Sequence, residues 1–445
     1  MWTTRLPEGG YLTRMADGTV KQINPFTGSD VWTVPGRGNR PLGITGRDRE
    51  VLAPGAHALE CAFCCERYLE TPPEKARVVH DDEGWRTLQR LPAEELFTTV
   101  AEFRRIPNLF EILSFDYWHK NYGYEIPAFI SERQSAYLST DAGVEHVTAA
   151  VKRRLLAGGM SEIEWERMST ADKLDQATGF FGGTHDVIVA RRHFVDGASY
   201  DDELASSGTL TPAEHYRYIA FTVESMLELY QLNRYARYVA TFQNWLKPAG
   251  ASFDHLHKQL VAIDERGVQI ELELSRLRAN PNLFNEAAVN YAAYQNLIVA
   301  ENDHAVAFAG FGHRYPTLEI YSKSAAPEPW RHTAEELEAM SNLIHACHAA
   351  TGADVPCNEE WHHKPMDVDM PMPWRVMLKW RVSTLAGFEG GTKIYLNTID
   401  PWMLRDRVVP KLFELRTAGL IAADTRIAME CECLPNCLKY NPFLR

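Results

Sequence analysis

Apolar residues recur along this chain with two periods, and the two alternate. In 21–43, "KQINPFTGSDVWTVPGRGNRPLG" is broken by Gly, Pro and Asn and predicts short strands and turns. In 93–104, "AEELFTTVAEFR" sets Leu96, Val100 and Phe103 at helical spacing and predicts a helix. The following "IPNLFEILSFDYW" reads as extended and aromatic. "GGTHDVIVARRHF" carries a strand core at Val187, Ile188 and Val189. "TPAEHYRYIAFTVESMLELYQLNRY" opens with Thr211 as an N-cap and Pro212 at the first helical position. Ile219, Val223, Met226, Leu227 and Tyr230 then share one helical face. "VATFQNW" and "HLHKQLVAI" predict two strands joined by the turn "LKPAGAS".

The second half repeats the style. "YQNLIVAENDHAVAFAG" predicts strand, turn and strand, and "PTLEIYSK" another strand. "TAEELEAMSNLIHACHAATG" predicts a helix with a Thr333–Glu336 capping box and Gly352 just past its end. "RVMLKWRVS" and "TKIYLNTI" supply late strands. This order argues for an α+β fold rather than a doubly wound sheet. There is no short tandem repeat. Two halves, 1–270 and 271–445, each an antiparallel sheet with packed helices, are expected, with the boundary near 265–280.

Composition narrows the classes. The 445 residues are 45% hydrophobic and 24% charged, enough for two domains with a sizeable core. No run of about 18 apolar residues predicts a membrane span. "MWTTRLPEGG" lacks the basic start and apolar core of a signal peptide, so the expected compartment is the cytosol. A net charge of −13 argues against a general nucleic-acid binder but leaves room for a few arginines around a small phosphate. Eight cysteines fall in two clusters, Cys61/Cys64/Cys65 and Cys431/Cys433/Cys437, with Cys347 and Cys357 apart. In a cytosolic chain such clusters suggest metal ligands or free thiols before disulfides.

The chemistry concentrates in "PAGASFDHLHKQLVAI", 248–263. On a strand, His255, His257 and Gln259 share a face, neighbours roughly 7 Å apart. The preceding turn of small residues lets a ligand approach backbone N–H groups. Imidazole there suits two tasks, binding zinc or attacking phosphorus, and an adjacent amide suits phosphoryl oxygens. Two ordinary strand histidines are the alternative.

The segment resembles the active-site strand of galactose-1-phosphate uridylyltransferases of the histidine-triad (HIT) superfamily, whose relatives include diadenosine polyphosphate phosphorylases and ADP-glucose phosphorylases. The family pattern of Asn, then Gly-x-Ser, then His-Pro-His-Gly-Gln is matched by Asn244, Gly250, Ser252 and His255-Leu256-His257-Lys258-Gln259. Leu256 and Lys258 depart from it. The resemblance implies His257 as the nucleotidylated nucleophile, with Gln259 beside it. "NPFTGSDVWTVPGRGNRP" resembles the family's opening strand, which implies Arg37 and Arg40 as nucleotide contacts; guanidinium forks suit phosphate oxygens on physical grounds as well.

Cys61-Ala62-Phe63-Cys64 offers half of a tetrahedral zinc site or, alternatively, two buried thiols. By the resemblance, His193 and His255 complete a Cys2His2 zinc site, while His185 is structural or a substrate neighbour. Asn108 is implied in the nucleotide site, and Gly387 and Glu389 near the second substrate. Some uridylyltransferases carry a second metal. Glu273 and His362 match two of its ligands, but Lys379-Trp380-Arg381 occupies the His-x-His position, so that metal is expected to be absent, with Lys379 and Arg381 attracting an anion instead. Cys431, Cys433 and Cys437 lie outside the resemblance and read as free thiols.

The expected function is nucleotidyl transfer by double displacement. A nucleotide sugar or dinucleoside polyphosphate donates, and a sugar 1-phosphate or phosphate accepts. The resemblance implies a homodimer; the net charge and the lack of a long apolar run lead to the expectation of no nucleic-acid or membrane partner. A phosphorylase or hydrolase is the alternative enzyme, and a non-catalytic nucleotide-binding or zinc-stabilised interaction protein the alternative outside catalysis.

Overall fold

Twelve strands among the described residues form one continuous antiparallel sheet, the frame that carries Asn244, His257 and Gln259. The computed structural model describes residues 10–36, 49–383 and 385–444. A small four-stranded sheet precedes the frame in the chain: β1 (Leu12–Arg14), β2 (Val20–Ile23) and β3 (Asp30–Thr33), completed by the late β15 (Ile394–Asn397) parallel to β3.

The large sheet is built twice. Its first half is β4 (Ala76–Asp81), β5 (Gly84–Gln89), β6 (Phe103–Pro107), β7 (His185–Ala190), β8 (Tyr238–Trp245) and β9 (His257–Ile263). Its second half is β10 (Ile298–Glu301), β11 (Ala305–Ala309), β12 (Thr317–Ser322), β13 (Cys357–His362), β14 (Arg375–Trp380) and β16 (Arg426–Ile427). Outward from the seam the order is β8-β9-β7-β6-β4-β5 on one side and β13-β14-β12-β11-β10-β16 on the other. Each half returns to the seam through one long helix, Pro212–Leu232 between β7 and β8 and Ala334–Thr351 between β12 and β13. The seam is the β8–β13 ladder, which pairs Asn244 with Asn358 and Phe242 with Glu360. The division at 270/271 falls inside the helix Gly267–Ala279. One apolar core runs beneath both halves, with Ile219 and Met226 of one long helix and Leu343 and Ile344 of the other buried in it.

Both long helices start as their sequences require. The Thr211 hydroxyl accepts the Glu214 N–H, and the Glu214 carboxylate accepts the Thr211 N–H at 2.7 Å, with Pro212 at the first position. Thr333 and Glu336 repeat the box. No helix among the described residues is long and apolar enough to cross a membrane.

Two element readings are corrected. The helix expected over 93–104 is a short 3-10 turn, Ala93–Glu95, followed by irregular chain and then β6. Thr98, Thr99 and Val100 form a β-branched run that disfavours helix. Arg77 draws the carbonyls of Leu96 and Thr99 into its guanidinium at 2.9 and 2.8 Å, which takes them out of any helical ladder. The segment "IPNLFEILSFDYW" is extended only through Pro107; Phe115–Tyr122 is a helix whose N-cap Ser114 accepts from the Tyr117 N–H.

Candidate active site and metal centre

The side chains of β9 alternate between two faces. His257 and Gln259 look to one face, with Val189 and Val187 opposite them in β7. Lys258 and Leu260 look to the helix-covered face. His257 is 5% exposed and packed against the ring of Phe63 at 5.3 Å. Its Nδ1 lies 2.7 Å from the His255 carbonyl. A carbonyl only accepts, so Nδ1 carries the proton and Nε2 keeps its lone pair. Nε2 has no hydrogen-bond partner among the described residues. Burial lowers the His257 pKa to about 4, against the opposing pull of the His255 carbonyl, so the ring is neutral near pH 7.

Gln259 is oriented by two neighbours. His185 Nδ1 accepts the Ile112 N–H at 3.0 Å, which puts its proton on Nε2, and Nε2–H donates to Gln259 Oε1 at 3.1 Å. Asn108 Nδ2 donates to the same oxygen at 3.3 Å. With Oε1 engaged twice, the NH2 of Gln259 is turned away from them, and it has no partner among the described residues. Burial holds the His185 pKa at about 4, keeping it a one-proton donor.

The turn between β8 and β9 doubles back through Gly250, at φ 91, a left-handed conformation in which a side chain would be strained. Ser252 lies exposed in it. Asn244 and this turn are tied across the seam: Asn358 Nδ2 donates to Asn244 Oδ1 at 2.7 Å and to the Ala249 carbonyl at 2.8 Å, while Arg381 donates to Asn358 Oδ1 at 2.7 Å. Beside this tie, on the same face as Gln259, a cavity of about 560 Å³ is lined by Phe242, Asn244, Asn358, Glu360, His362 and Arg381 among others. That is room for a sugar phosphate or a nucleotide.

Behind His257, four donors converge. Cys61, Cys64, His193 and His255 present Sγ and ring nitrogens that all lie within 4.8 Å of one another. Cys61 Sγ is 3.9 Å from Cys64 Sγ and 3.4 Å from His255 Nδ1; Cys64 Sγ is 3.6 Å from His193 Nδ1 and 3.7 Å from His255 Nδ1. His255 Nε2 donates to the Ala190 carbonyl at 2.7 Å, which leaves Nδ1 free to ligate. The hydrogen bond from Cys61 is the largest influence that holds Cys64 as a thiolate against its burial, while the same bond and burial push Cys61 up. This is a donor set that could hold a tetrahedral metal ion. Cys65 stays outside it, as do Cys431, Cys433 and Cys437.

Other expected residues are not gathered here. Arg37 and Arg40 lie outside the described residues. Gly387 and Glu389 belong to the helix Gly387–Thr392 beside the small sheet; Glu389 accepts the Ala386 N–H at 2.9 Å, and Phe388 lies 6.3 Å from Trp32. No contact among the described residues joins them to His257. Glu273 is held by Arg375 at 2.5 Å, both fully buried. Lys379 is neutralised by Glu360 at 2.5 Å, whereas Arg381 donates to the neutral amide oxygen of Asn358, keeps its charge at the cavity wall, and has no partner for its Nε among the described residues. Asn358 and Phe63 had no signal of their own in the sequence. Their roles depend on strand register and on the fold of the Cys-x-x-Cys loop.

A family model described as "Domain of unknown function (DUF4921)" matches residues 15–440. The chain is 22% identical over 390 residues to an ADP-glucose phosphorylase of Arabidopsis thaliana, covering 85% of this chain and 89% of that one. Its fold is similar to the crystal structure of an ADP-glucose phosphorylase from Arabidopsis thaliana with bound ADP-glucose, at TM-score 0.56 and 18% identity, over 88% of this chain and 98% of that chain. It is also similar to the X-ray structure of a galt-like protein from Arabidopsis thaliana, at TM-score 0.55 and 18% identity, over 87% and 98%. The resemblance carried by several short segments therefore extends to an α+β fold shared over 87–88% of the chain.

Proposed function

The chain belongs to the DUF4921 family, and we propose that it is a nucleotidyltransferase that moves a nucleoside monophosphate from a nucleotide sugar to a phosphate-bearing acceptor through a nucleotidyl-histidine. The observation that carries this reading is the buried, neutral His257 with its Nε2 lone pair unengaged beside the outward amide of Gln259.

The Nε2 lone pair attacks the α-phosphorus. A P–N bond forms, the bond to the bridging oxygen breaks, and its electron pair leaves with the sugar 1-phosphate. The ring is now cationic, and the hydrogen bond from Nδ1 to the His255 carbonyl strengthens as it charges. The Gln259 NH2 meets the charge that gathers on the phosphoryl oxygens. An acceptor phosphate oxygen then attacks from the vacated side, the P–N bond breaks, and its electrons return to Nε2. Arg37, Arg40, Asn244 and Ser252 are proposed to hold the phosphates, Asn108 to stand behind Gln259, and Gly387 and Glu389 to lie toward the second substrate.

We assign zinc to Cys61, Cys64, His193 and His255. Bonds of about 2.0–2.3 Å in a tetrahedron put ligand atoms about 3.3–3.8 Å apart; four of the six separations run from 3.4 to 3.9 Å, and all six lie within 4.8 Å. Zinc there ties the Cys-x-x-Cys loop to the strand start, and His255 in turn fixes the carbonyl that holds His257.

Inorganic phosphate as the acceptor, a phosphorylase, is the second reading. It is favoured by the similarity to ADP-glucose phosphorylase along 85% of the chain. Brief mixing with UDP-glucose, UDP-galactose, ADP-glucose, GDP-sugars and diadenosine tetraphosphate without acceptor, read by intact-protein mass spectrometry, tests both. A nucleoside-monophosphate adduct on the wild type and none on His257→Ala is expected. Its release by phosphate or by a hexose 1-phosphate names the acceptor. Full turnover by His257→Ala would remove His257 as the nucleophile.

A further inference from the structure

The helix-covered face of the first half-sheet carries a second concentration of charge. Arg105 in β6 pairs in register with Ile188 in β7, and Ile188 with Lys258, so Arg105 points away from the face of His257 and Gln259. There a cavity of about 390 Å³ is lined by Lys75, Arg90, Arg105 and Arg133, with Phe129 and Phe181 among its walls.

The cations outnumber the carboxylates that meet them. Lys75 reaches Asp186 at 2.6 Å and the Gly183 carbonyl at 2.8 Å. Arg105 reaches the same Asp186 at 2.7 Å and also Glu228. Asp186 is thus shared and Glu228 spent. Arg133 donates to the Glu74 carbonyl and lies over the Phe181 ring at 5.7 Å, yet its buried Nε has no partner. Glu74's own carboxylate is engaged by Arg77 and Arg104. Arg90 lies over Phe129 at 5.2 Å. Among the described residues neither Arg90 nor Arg133 makes an ion pair. The four cations meet only two carboxylates in ion pairs among the described residues, in a chain whose net charge is −13; the buried Glu111 carboxyl also lies near Lys75 but makes no ion pair with it. Burying an unmatched guanidinium is costly. Burial, and then Arg90, draws the Arg133 pKa down to about 10, with Asp186 and Tyr137 opposing.

We infer that this cavity is a binding site for a small phosphate-bearing ligand, separate from the transfer site. Guanidinium forks match phosphate oxygens, and the exposed ring of Phe129 accepts an apolar or planar portion of the same ligand.

Calorimetric titration of the full zinc-loaded chain with inorganic pyrophosphate tests this, with Arg133→Met, Arg90→Gln and Arg37→Gln/Arg40→Gln alongside. One binding event is expected to survive the Arg37/Arg40 change and to weaken at least tenfold in Arg133→Met and in Arg90→Gln. Arg90 is exposed, so its variant carries the test if Arg133→Met folds poorly. No event surviving the Arg37/Arg40 change would overturn the site, as would a surviving event that both cavity variants leave unmoved. AMP binding more tightly than inorganic phosphate would point to a nucleotide held through Phe129; equal affinities would point to phosphate itself. The adduct experiment on His257 can fail without altering this result, since none of these side chains faces the nucleophile.

Discussion

Two protons decide the chemistry assigned to single residues. One sits on His257 Nδ1 and faces a carbonyl; the other sits on His185 Nε2 and faces Gln259. Each is fixed by what its other ring nitrogen or its neighbour demands, and together they leave one lone pair and one NH2 pointing outward. Gln259→Leu keeps the volume but removes the donor. Steady-state turnover should fall by about 10²–10³-fold with an unchanged melting temperature; an unchanged kcat would deny Gln259 a part in the reaction. The metal donors act at this scale too. Elemental analysis should find about one zinc per chain, and Cys61→Ser should lose it along with thermal stability. A stable, zinc-free wild type would refute the assignment. The motif at 255–259 and the Cys-x-x-Cys were readable because their spacing is local. The tautomers were not, because each depends on a carbonyl or N–H that the fold delivers.

The element that carries the proposed nucleophile is anchored from behind. Lys258, fully buried, meets Glu359 of β13 at 2.6 Å and Gln243 of β8 at 3.0 Å. Glu359 also accepts from His348 of the second long helix at 2.7 Å. Burial alone would raise the Glu359 pKa, but Lys258 and His348 hold it well below the carboxylate range. Where the uridylyltransferase pattern has glycine, this chain fastens β9 to the seam and to the other half. Removing one partner of such a pair strands a buried charge, so Lys258→Met should cost about 3–5 kcal/mol of stability by denaturant titration. Adding Glu359→Gln should recover part of it. Additive losses would mean that the two side chains do not support each other. Periodicity placed both long helices and most strands, since their caps and apolar stripes are local. It misplaced 93–104, where Arg77 from another strand takes the carbonyls.

Over the whole molecule, several histidines are buried neutral. Burial holds His345 and His185 at about 4, and burial with His362 holds His363 at about 3, all from an ordinary value of 6.5. The unfolded chain therefore binds these protons first as pH falls. Stability is full above about pH 6.5 and is lost as pH drops toward 4; each tenfold difference in proton affinity between the unfolded and folded chain is worth about 1.4 kcal/mol. Melting temperatures should decline steeply across that window; a flat profile would contradict neutral burial. The sequence by itself determined the α+β class, the histidine motif and the Cys-x-x-Cys pair, because each is written in local spacing or residue type; His193 and His255 joined that pair as candidate metal donors only through the family resemblance. Only the tertiary structure decided that two half-sheets fuse along β8 and β13, that Asn358 crosses the seam to Asn244, and that four cations share a cavity behind β7. Those facts depend on register and strand order, which residues far apart in the chain settle together when their apolar faces are buried in one core.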